Sequence, residues 1–143
     1  MSNIEKNIDG RTKLVGLLAT PIGHSLSPRM HNLGYTLKNL NYAYLAFEVG
    51  NDELEKVVEG FKAQGAAGFN VSMPNKMKVL EYLDELDDSA KFARASNTVV
   101  NRDGKLIAIG VAAPPEPTKV TFLPLSSTPC SSKFLTYPSP SVL

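Results

Sequence analysis

Cysteine is nearly absent: the 143 residues hold one, Cys130. A single thiol excludes an intrachain disulfide and any metal site built from several cysteines. Cys130 also lies in a serine-rich stretch, where incidental presence is a far better reading than catalysis. Charge of one sign is missing as well. Lys and Arg number 15 against 14 Asp and Glu, a net charge of +1, and no basic stripe runs along the chain to follow a phosphate backbone. Nucleic-acid binding therefore has no support. No run approaches the roughly 18 to 20 apolar residues that cross a bilayer, and the polar opening MSNIEKNIDG lacks the apolar centre of a secretory signal. A cytoplasmic protein without a membrane partner is the expectation. Neither G-x-G-x-x-G nor a Walker-type glycine loop occurs, so a dinucleotide pyrophosphate has no evident cradle. What is present is 43% hydrophobic content, enough for the core of one ordinary domain.

That content is unevenly organised. Up to about Val111 the apolar residues recur with clear periods and glycines punctuate the segments. From Ala112 onward come Pro114, Pro115, Pro117, Pro124, Pro129, Pro138 and Pro140 among many serines and threonines, with one acidic residue and no glycine. Such a stretch propagates neither a helix nor a central strand. The expectation is a folded domain over residues 1–110 and a disordered Pro/Ser-rich tail over 111–143, as if two unrelated sequences met at the boundary.

Within the folded part, KLVGLLA over residues 13–19 suits a buried strand. A helix should follow Ser27, with Ser27 as N-cap and Pro28 as the first helical residue. Residues 44–49 read as a second strand. Asp52 can cap the next segment, where Leu54, Val57, Val58 and Phe61 fall at the i, i+3, i+4, i+7 spacing of one helical face. Residues 67–72 read as a third strand and 76–83 as a helix after Pro74. SNTVVN and KLIAIGV flank Arg102, Asp103 and Gly104, a turn-forming group that predicts a hairpin. Strands alternating with helices predict an α/β fold: a three-layer open sheet, mostly parallel, with flanking helices and a C-terminal hairpin.

Three junctions carry chemistry. His24-Ser25-Leu26-Ser27-Pro28 puts two hydroxyls at a strand-to-helix junction, where unpaired N–H groups and a partial positive charge suit a small carboxylate. Taken alone, Ser27 as a simple cap and Ser25 as a loop residue is the plainer reading. Asn70-Val71-Ser72-Met73-Pro74-Asn75-Lys76 sets polar side chains at the exit of a buried strand, beside the crevice where open α/β sheets bind ligands. Lys76 there can serve in general acid–base catalysis; in isolation a solvated lysine, with Lys78 two positions on, is plainer. Asn97, entering the apolar run Thr98-Val99-Val100, is either a turn residue or a bidentate partner for a polyol hydroxyl.

In this order and spacing PIGHSLSP, GFNVSMPNK and SNTVVN with the following DGKL resemble the shikimate/quinate dehydrogenase family, over about residues 13–107. The wording MPNK, with Ser72 where many members carry threonine, is more similar to the quinate/shikimate branch than to the strictly shikimate-specific one. The resemblance implies that Ser25 and Ser27 hold the carboxylate of shikimate or quinate. It implies that Ser72 and Asn97 bond the ring hydroxyls and that Lys76 is the catalytic lysine, assisting proton transfer while hydride passes to NADP or NAD. Tyr44 is implied as a wall of the pocket, although packing within a strand explains it about as well.

The departures from the family are equally specific. Members continue into a segment ending close to Asn-Thr-Asp-Gly, whose aspartate pairs with the catalytic lysine; here the stretch reads Ile109-Gly110-Val111-Ala112-Ala113, and Ala112 stands in the aspartate's place. The nicotinamide-binding domain that follows in the family has no counterpart, so no cofactor is expected to bind this chain. A frameshift, a misjoined gene model or a pseudogene-like remnant would each produce such a break. A non-enzymatic interaction module using the tail as ligand is the rival reading, but the tail lacks a consistent PxxP core with flanking basic residues. An autonomous hydrolase lacks a nucleophile elbow. Limited proteolysis should remove residues 111–143 first and leave a core ending near residue 110; a resistant tail with protected amides would contradict this reading.

Overall fold

The protein is seen in a computed structural model that describes residues 8–110. The expectations for residues 111–143, and for Ala112, lie outside the described residues. The chain runs β1 (Lys13–Ala19), α1 (Ser27–Leu37), β2 (Tyr42–Glu48), α2 (Leu54–Ala63), β3 (Gly68–Val71), a 3-10 turn (Lys78–Tyr82), β4 (Glu85–Leu86), α3 (Asp88–Ala93), β5 (Ser96–Arg102) and β6 (Lys105–Gly110). The strands form one sheet in the order β2-β1-β3-β5-β6-β4. β1 pairs in parallel with β2 and β3, and β4 with β6, whereas β5 runs antiparallel to both β3 and β6. The sheet is thus mixed, with its parallel half around β1 and an antiparallel insertion at β5.

β1 is apolar on both faces, which explains its unbroken hydrophobic run. Val15, Leu17 and Ala19 face a cluster with Tyr35 of α1, Tyr44 and Val100. Leu18 faces the opposite cluster, with Leu54, Val58 and Phe61 of α2, Phe69, Val79 and Val99. The period of two along β1 therefore divides the domain into three layers. Gly16 belongs to this arrangement, because a Cβ there would lie 2.6 Å from the ring of Phe61. Burying a side chain the size of Phe61 or Leu54 contributes about 1.5–3 kcal/mol each.

Both long helices stop through their backbones. α1 ends as Leu40 N–H donates to Tyr35 O at 2.8 Å, with Asn39 at φ 53°. α2 ends in the same way, Ala66 N–H donating to Phe61 O at 3.0 Å with Gly65 at φ 66°, the left-handed closure that glycine and asparagine favour. The hairpin is as the sequence suggests. Arg102 pairs with Lys105 across Asp103 and Gly104, both at positive φ, the two-residue turn that matches strand twist.

Several boundaries depart from the sequence expectations. Ser27 is not the N-cap: Met30 N–H donates to Leu26 O at 3.1 Å, so the ladder starts at Leu26, and Ser25 Oγ accepts from Ser27 N–H at 3.3 Å. Asp52 does not cap α2, because Val57 N–H donates to Glu53 O and the helix starts one residue later. The helix expected over 76–83 is a short 3-10 turn. Its length is limited because Asp84 N–H must reach Leu106 O, at 2.9 Å, to begin β4. β4 and α3 have no counterpart in the expectations; a two-residue strand has no readable period, and six residues barely exceed one helical turn. Asp87 does cap α3, its Oδ1 accepting from Ala90 N–H at 2.7 Å.

Gly68, at φ 156°, sits where β3 meets β5, and a Cβ there would drive into the Val99 carbonyl oxygen and approach Val100 Cα to 3.2 Å. The neighbour is backbone and cannot swing away. Gly68→Ala should therefore destabilise the chain by about 2 kcal/mol or more, read as a lower urea midpoint. An unchanged midpoint would show that β3 and β5 separate freely.

Candidate functional site

A cavity of about 210 Å³ opens where β1 and β3 end and antiparallel β5 begins, roofed by α1. Leu17, Ser27, His31, Tyr44, Asn70, Val71, Lys76, Asn97 and Thr98 line it. The antiparallel insertion of β5 matters here, since its pairing of Thr98 with Asn70 places the start of one strand beside the end of another. Polar side chains from two sequence-distant segments thereby share one rim.

A hydrogen-bonded chain crosses the floor. Tyr44 Oη donates to Asn70 Oδ1 at 2.8 Å. Asn70 Nδ2 donates to Thr98 Oγ1 at 3.1 Å and to the Asn97 carbonyl at 3.2 Å. Thr98 Oγ1 donates to Asn97 Oδ1 at 3.0 Å. With Oδ1 of Asn97 so engaged, its Nδ2 and the Lys76 ammonium are lining donors that have no hydrogen-bond partner among the described residues. Tyr44 is fixed from behind by Asn32, whose side chain accepts from Tyr44 N–H at 3.0 Å and donates to Tyr44 O at 2.8 Å. Burial, seconded by Tyr35, pushes the Tyr44 phenol well above its ordinary value, so it stays a neutral donor. Burial and then Tyr42 raise Tyr35 to about 12.

His31 stacks on Tyr44 with ring centroids 4.2 Å apart and planes 2° from parallel. Burial pulls its pKa below 6.5, because the imidazolium is the form that loses most on leaving water.

The turn carrying Lys76 is held at three points. Thr20 N–H donates to Met73 O at 3.1 Å, and Ser96 N–H to Lys76 O at 2.9 Å. Asn75 is fully buried, its Nδ2 donating to the carbonyls of Val49 at 2.8 Å and Leu18 at 3.4 Å. Lys76 and Lys78, alike in sequence, are thereby separated: Lys76 lines the cavity, while Lys78 pairs with Glu81 and lies over the Tyr82 ring.

Of the residues singled out from sequence, Ser27, Tyr44, Lys76 and Asn97 meet in the cavity. Ser25 and Ser72 are not among its lining residues. Ser25 turns back on the backbone to accept from Ser27 N–H, and the backbone of Ser72 closes the turn, its N–H donating to Leu18 O and its carbonyl accepting from Asn75. His31 is a lining residue that was not singled out, and Asn70 and Thr98 are lining residues that lay within the quoted motifs without a role of their own. His31 was readable, since it follows Ser27 by one helical turn; the role of Asn70 depended on the β3–β5 register, which sequence does not carry. Among the described residues no group of three His, Cys, Asp or Glu gathers to hold a metal, and no helix is long and apolar enough to cross a membrane.

Comparisons with known proteins agree with this architecture. A family model for the shikimate dehydrogenase substrate binding domain matches residues 17–99. The shikimate dehydrogenase (NADP(+)) of Listeria monocytogenes is 54% identical over 105 residues, 73% of this chain and 36% of that protein. The Streptococcus uberis shikimate dehydrogenase (NADP(+)) is 52% identical over 107 residues, 75% of this chain and 36% of that protein. Among solved structures, shikimate 5-dehydrogenase from Listeria monocytogenes in complex with shikimate and NAD superposes with a TM-score of 0.71 at 54% identity, covering 73% of this chain and 36% of that one. The 5-ketofructose reductase of a Gluconobacter strain superposes with a TM-score of 0.69 at 35% identity, covering 71% and 37%. The chain thus spans about a third of the length of the relatives it matches. On the match over residues 17–99 and the shared architecture, the chain belongs to the shikimate dehydrogenase substrate-binding domain family.

Proposed function

We propose that this domain binds a small hydroxylated ring acid, shikimate or quinate, in the cavity under α1. The observation that carries the reading is the meeting there of Ser27, Lys76, Asn97 and Tyr44. The start of α1, with Ser27 and the neighbouring Ser25, receives the carboxylate, where the side-chain hydroxyls and the positive end of the helix dipole favour an anion. Asn97, assisted by Asn70 and by Ser72, which follows the lining residue Val71, bonds the ring hydroxyls. Tyr44 supplies a wall and keeps Asn70 oriented. Lys76 gives and takes the proton of the hydroxyl that becomes a ketone, in a site whose turn is held by Asn75.

The relatives' names attach this chemistry to NADP(+), a nicotinamide cofactor that supplies hydride transfer where it is bound. The described residues do not fit such a dinucleotide: the cavity of about 210 Å³ suits a small ring, and no glycine fingerprint occurs in the sequence. We propose accordingly that the 143-residue chain alone does not turn over. The purified chain should show no NAD(P)-dependent oxidation of shikimate or quinate above background, and turnover that follows the protein through purification would overturn this.

Ligand binding is the direct test of the site. NMR titration with shikimate should give shifts clustered at Ser27, Asn70, Lys76 and Asn97 and their neighbours Ser25 and Ser72, with affinity near millimolar, about −4 kcal/mol. Ser27→Ala should weaken binding more than Lys78→Ala, because Lys78 is engaged with Glu81 outside the cavity. If shifts are absent at high ligand concentration, or Lys78→Ala is the more damaging change, the lining residues are scaffold.

A further inference from the structure

His31 follows Ser27 by four positions on α1, so the two lie one above the other on one helix face, and both line the cavity. His31 is 4% exposed, yet it lines the cavity as well as packing in the core. Its plane is set by the stack on Tyr44, whose hydroxyl is tied to Asn70 and whose backbone is tied to Asn32. A polar ring so oriented, beside the end of the cavity that Ser27 marks, is placed to meet whatever Ser27 meets.

We propose that His31 is a specificity-determining residue of this pocket, contacting the carboxylate of the bound ring acid beside Ser27 and taking up a proton from solvent as the anion binds. The inference rests on the reading of the cavity as a ring-acid site. It goes beyond that reading by naming a group that distinguishes an anionic ligand from a neutral polyol of the same size.

The electrostatic surroundings support it. Among the described residues, Tyr35 from α1 itself and Tyr44 from β2 make ring contacts with His31, and Lys76 from the turn after β3, Leu17 from β1 and Asn97 and Thr98 from β5 line the cavity with it. Both tyrosines are held neutral by burial. In the free pocket burial lowers the pKa of the imidazole and favours its neutral form. A carboxylate entering the same cavity favours the imidazolium and raises the pKa of His31 in the complex. Affinity should then be flat above the complex's pKa, rise as pH falls through it, and level off below the lower pKa of the free protein. Each unit of separation corresponds to about tenfold in affinity.

The experiment is an NMR titration of the imidazole resonances of the full 143-residue chain, which has two histidines, with and without saturating shikimate. It spans about pH 5 to 8, where a carboxylic acid ligand stays ionised. Methyl shikimate serves as the neutral probe. The expected result is a rise of about one unit in the His31 midpoint with shikimate and none with the methyl ester. His31→Phe, which retains the ring stack, should weaken shikimate binding roughly tenfold at the acid end and remove its pH dependence, while leaving the ester's affinity comparable. Shikimate-induced shifts at Ser27, Lys76 and Asn97 with an unmoved His31 midpoint overturn the proposal and leave the ring-acid reading standing. Movement of the exposed His24 midpoint in place of that of His31 does the same. Absence of shifts anywhere sinks the ring-acid reading and this proposal together. The wild-type titration decides the matter even if the variant does not fold.

Discussion

A strand buried on both faces obliges the chain to supply a packing layer to each, and β1 is that strand. Val15, Leu17 and Ala19 require one cover, Leu18 the other. α1 and α2 flank the sheet because the hydrophobic alternation of β1 admits no simpler burial. Gly16 shows how close the fit is on the α2 side, where the ring of Phe61 occupies the space that a side chain would fill. The α1 side is looser and more polar. Here the sheet offers Tyr44, Asn70 and Thr98 among its apolar residues, and the helix offers Ser27 and His31. The cavity forms on that side because polar groups there bond one another and leave room between, whereas the opposite face closes as a continuous apolar cluster.

The polar chain from Tyr44 through Asn70 to Thr98 and Asn97 carries an asymmetric cost. Each bond adds modest net stability, about 0.5–1.5 kcal/mol, but removing one member leaves its partner desolvated and unpaired at about 1–3 kcal/mol. The chain therefore fixes geometry more than it adds stability. The same holds for Asn75, whose amide ties the turn bearing Lys76 to the ends of β1 and β2 through Leu18 O and Val49 O. A lysine on a flexible stem becomes a directed group when the backbone beneath it is anchored this way.

Much of this was legible in the sequence, and what was not has a physical reason. The run over residues 13–19 gave β1 to the residue, and Leu54, Val57, Val58 and Phe61 gave the face of α2, since strong periodicity survives any tertiary context. The Asp103-Gly104 turn was readable because positive φ at both positions demands such residues. The boundaries at Leu26 and Glu53 were misplaced: both helices begin without a side-chain cap from their own N-cap residue, so cap chemistry pointed to neighbouring residues. Within the site, Ser27, Lys76 and Asn97 stood out through their positions at element ends, and Tyr44 through the family resemblance. Asn70 and Thr98 did not, because their partnership is created by the antiparallel pairing of β3 with β5. A pairing between segments nearly thirty residues apart, as at Asn70 and Thr98, leaves no local trace.

The comparison with a 5-ketofructose reductase at 35% identity and a similar superposition separates scaffold from selectivity. A fold held by the two-faced β1, by the clamp of Asn32 on Tyr44 and by the anchoring of Asn75 specifies where a cavity lies and says little about what fills it. Selectivity must come from side chains that line the cavity. Among the described residues, Ser27, His31, Asn97 and Lys76 bring polar groups to the lining of the cavity. Ser27, Asn97 and Lys76 offer small or terminal groups whose exchange leaves the layers untouched, whereas His31 is also packed on Tyr44. The substrate class of a family member can therefore change by substitution at those tips, while β1 and its two covers persist as the part that the fold cannot lose.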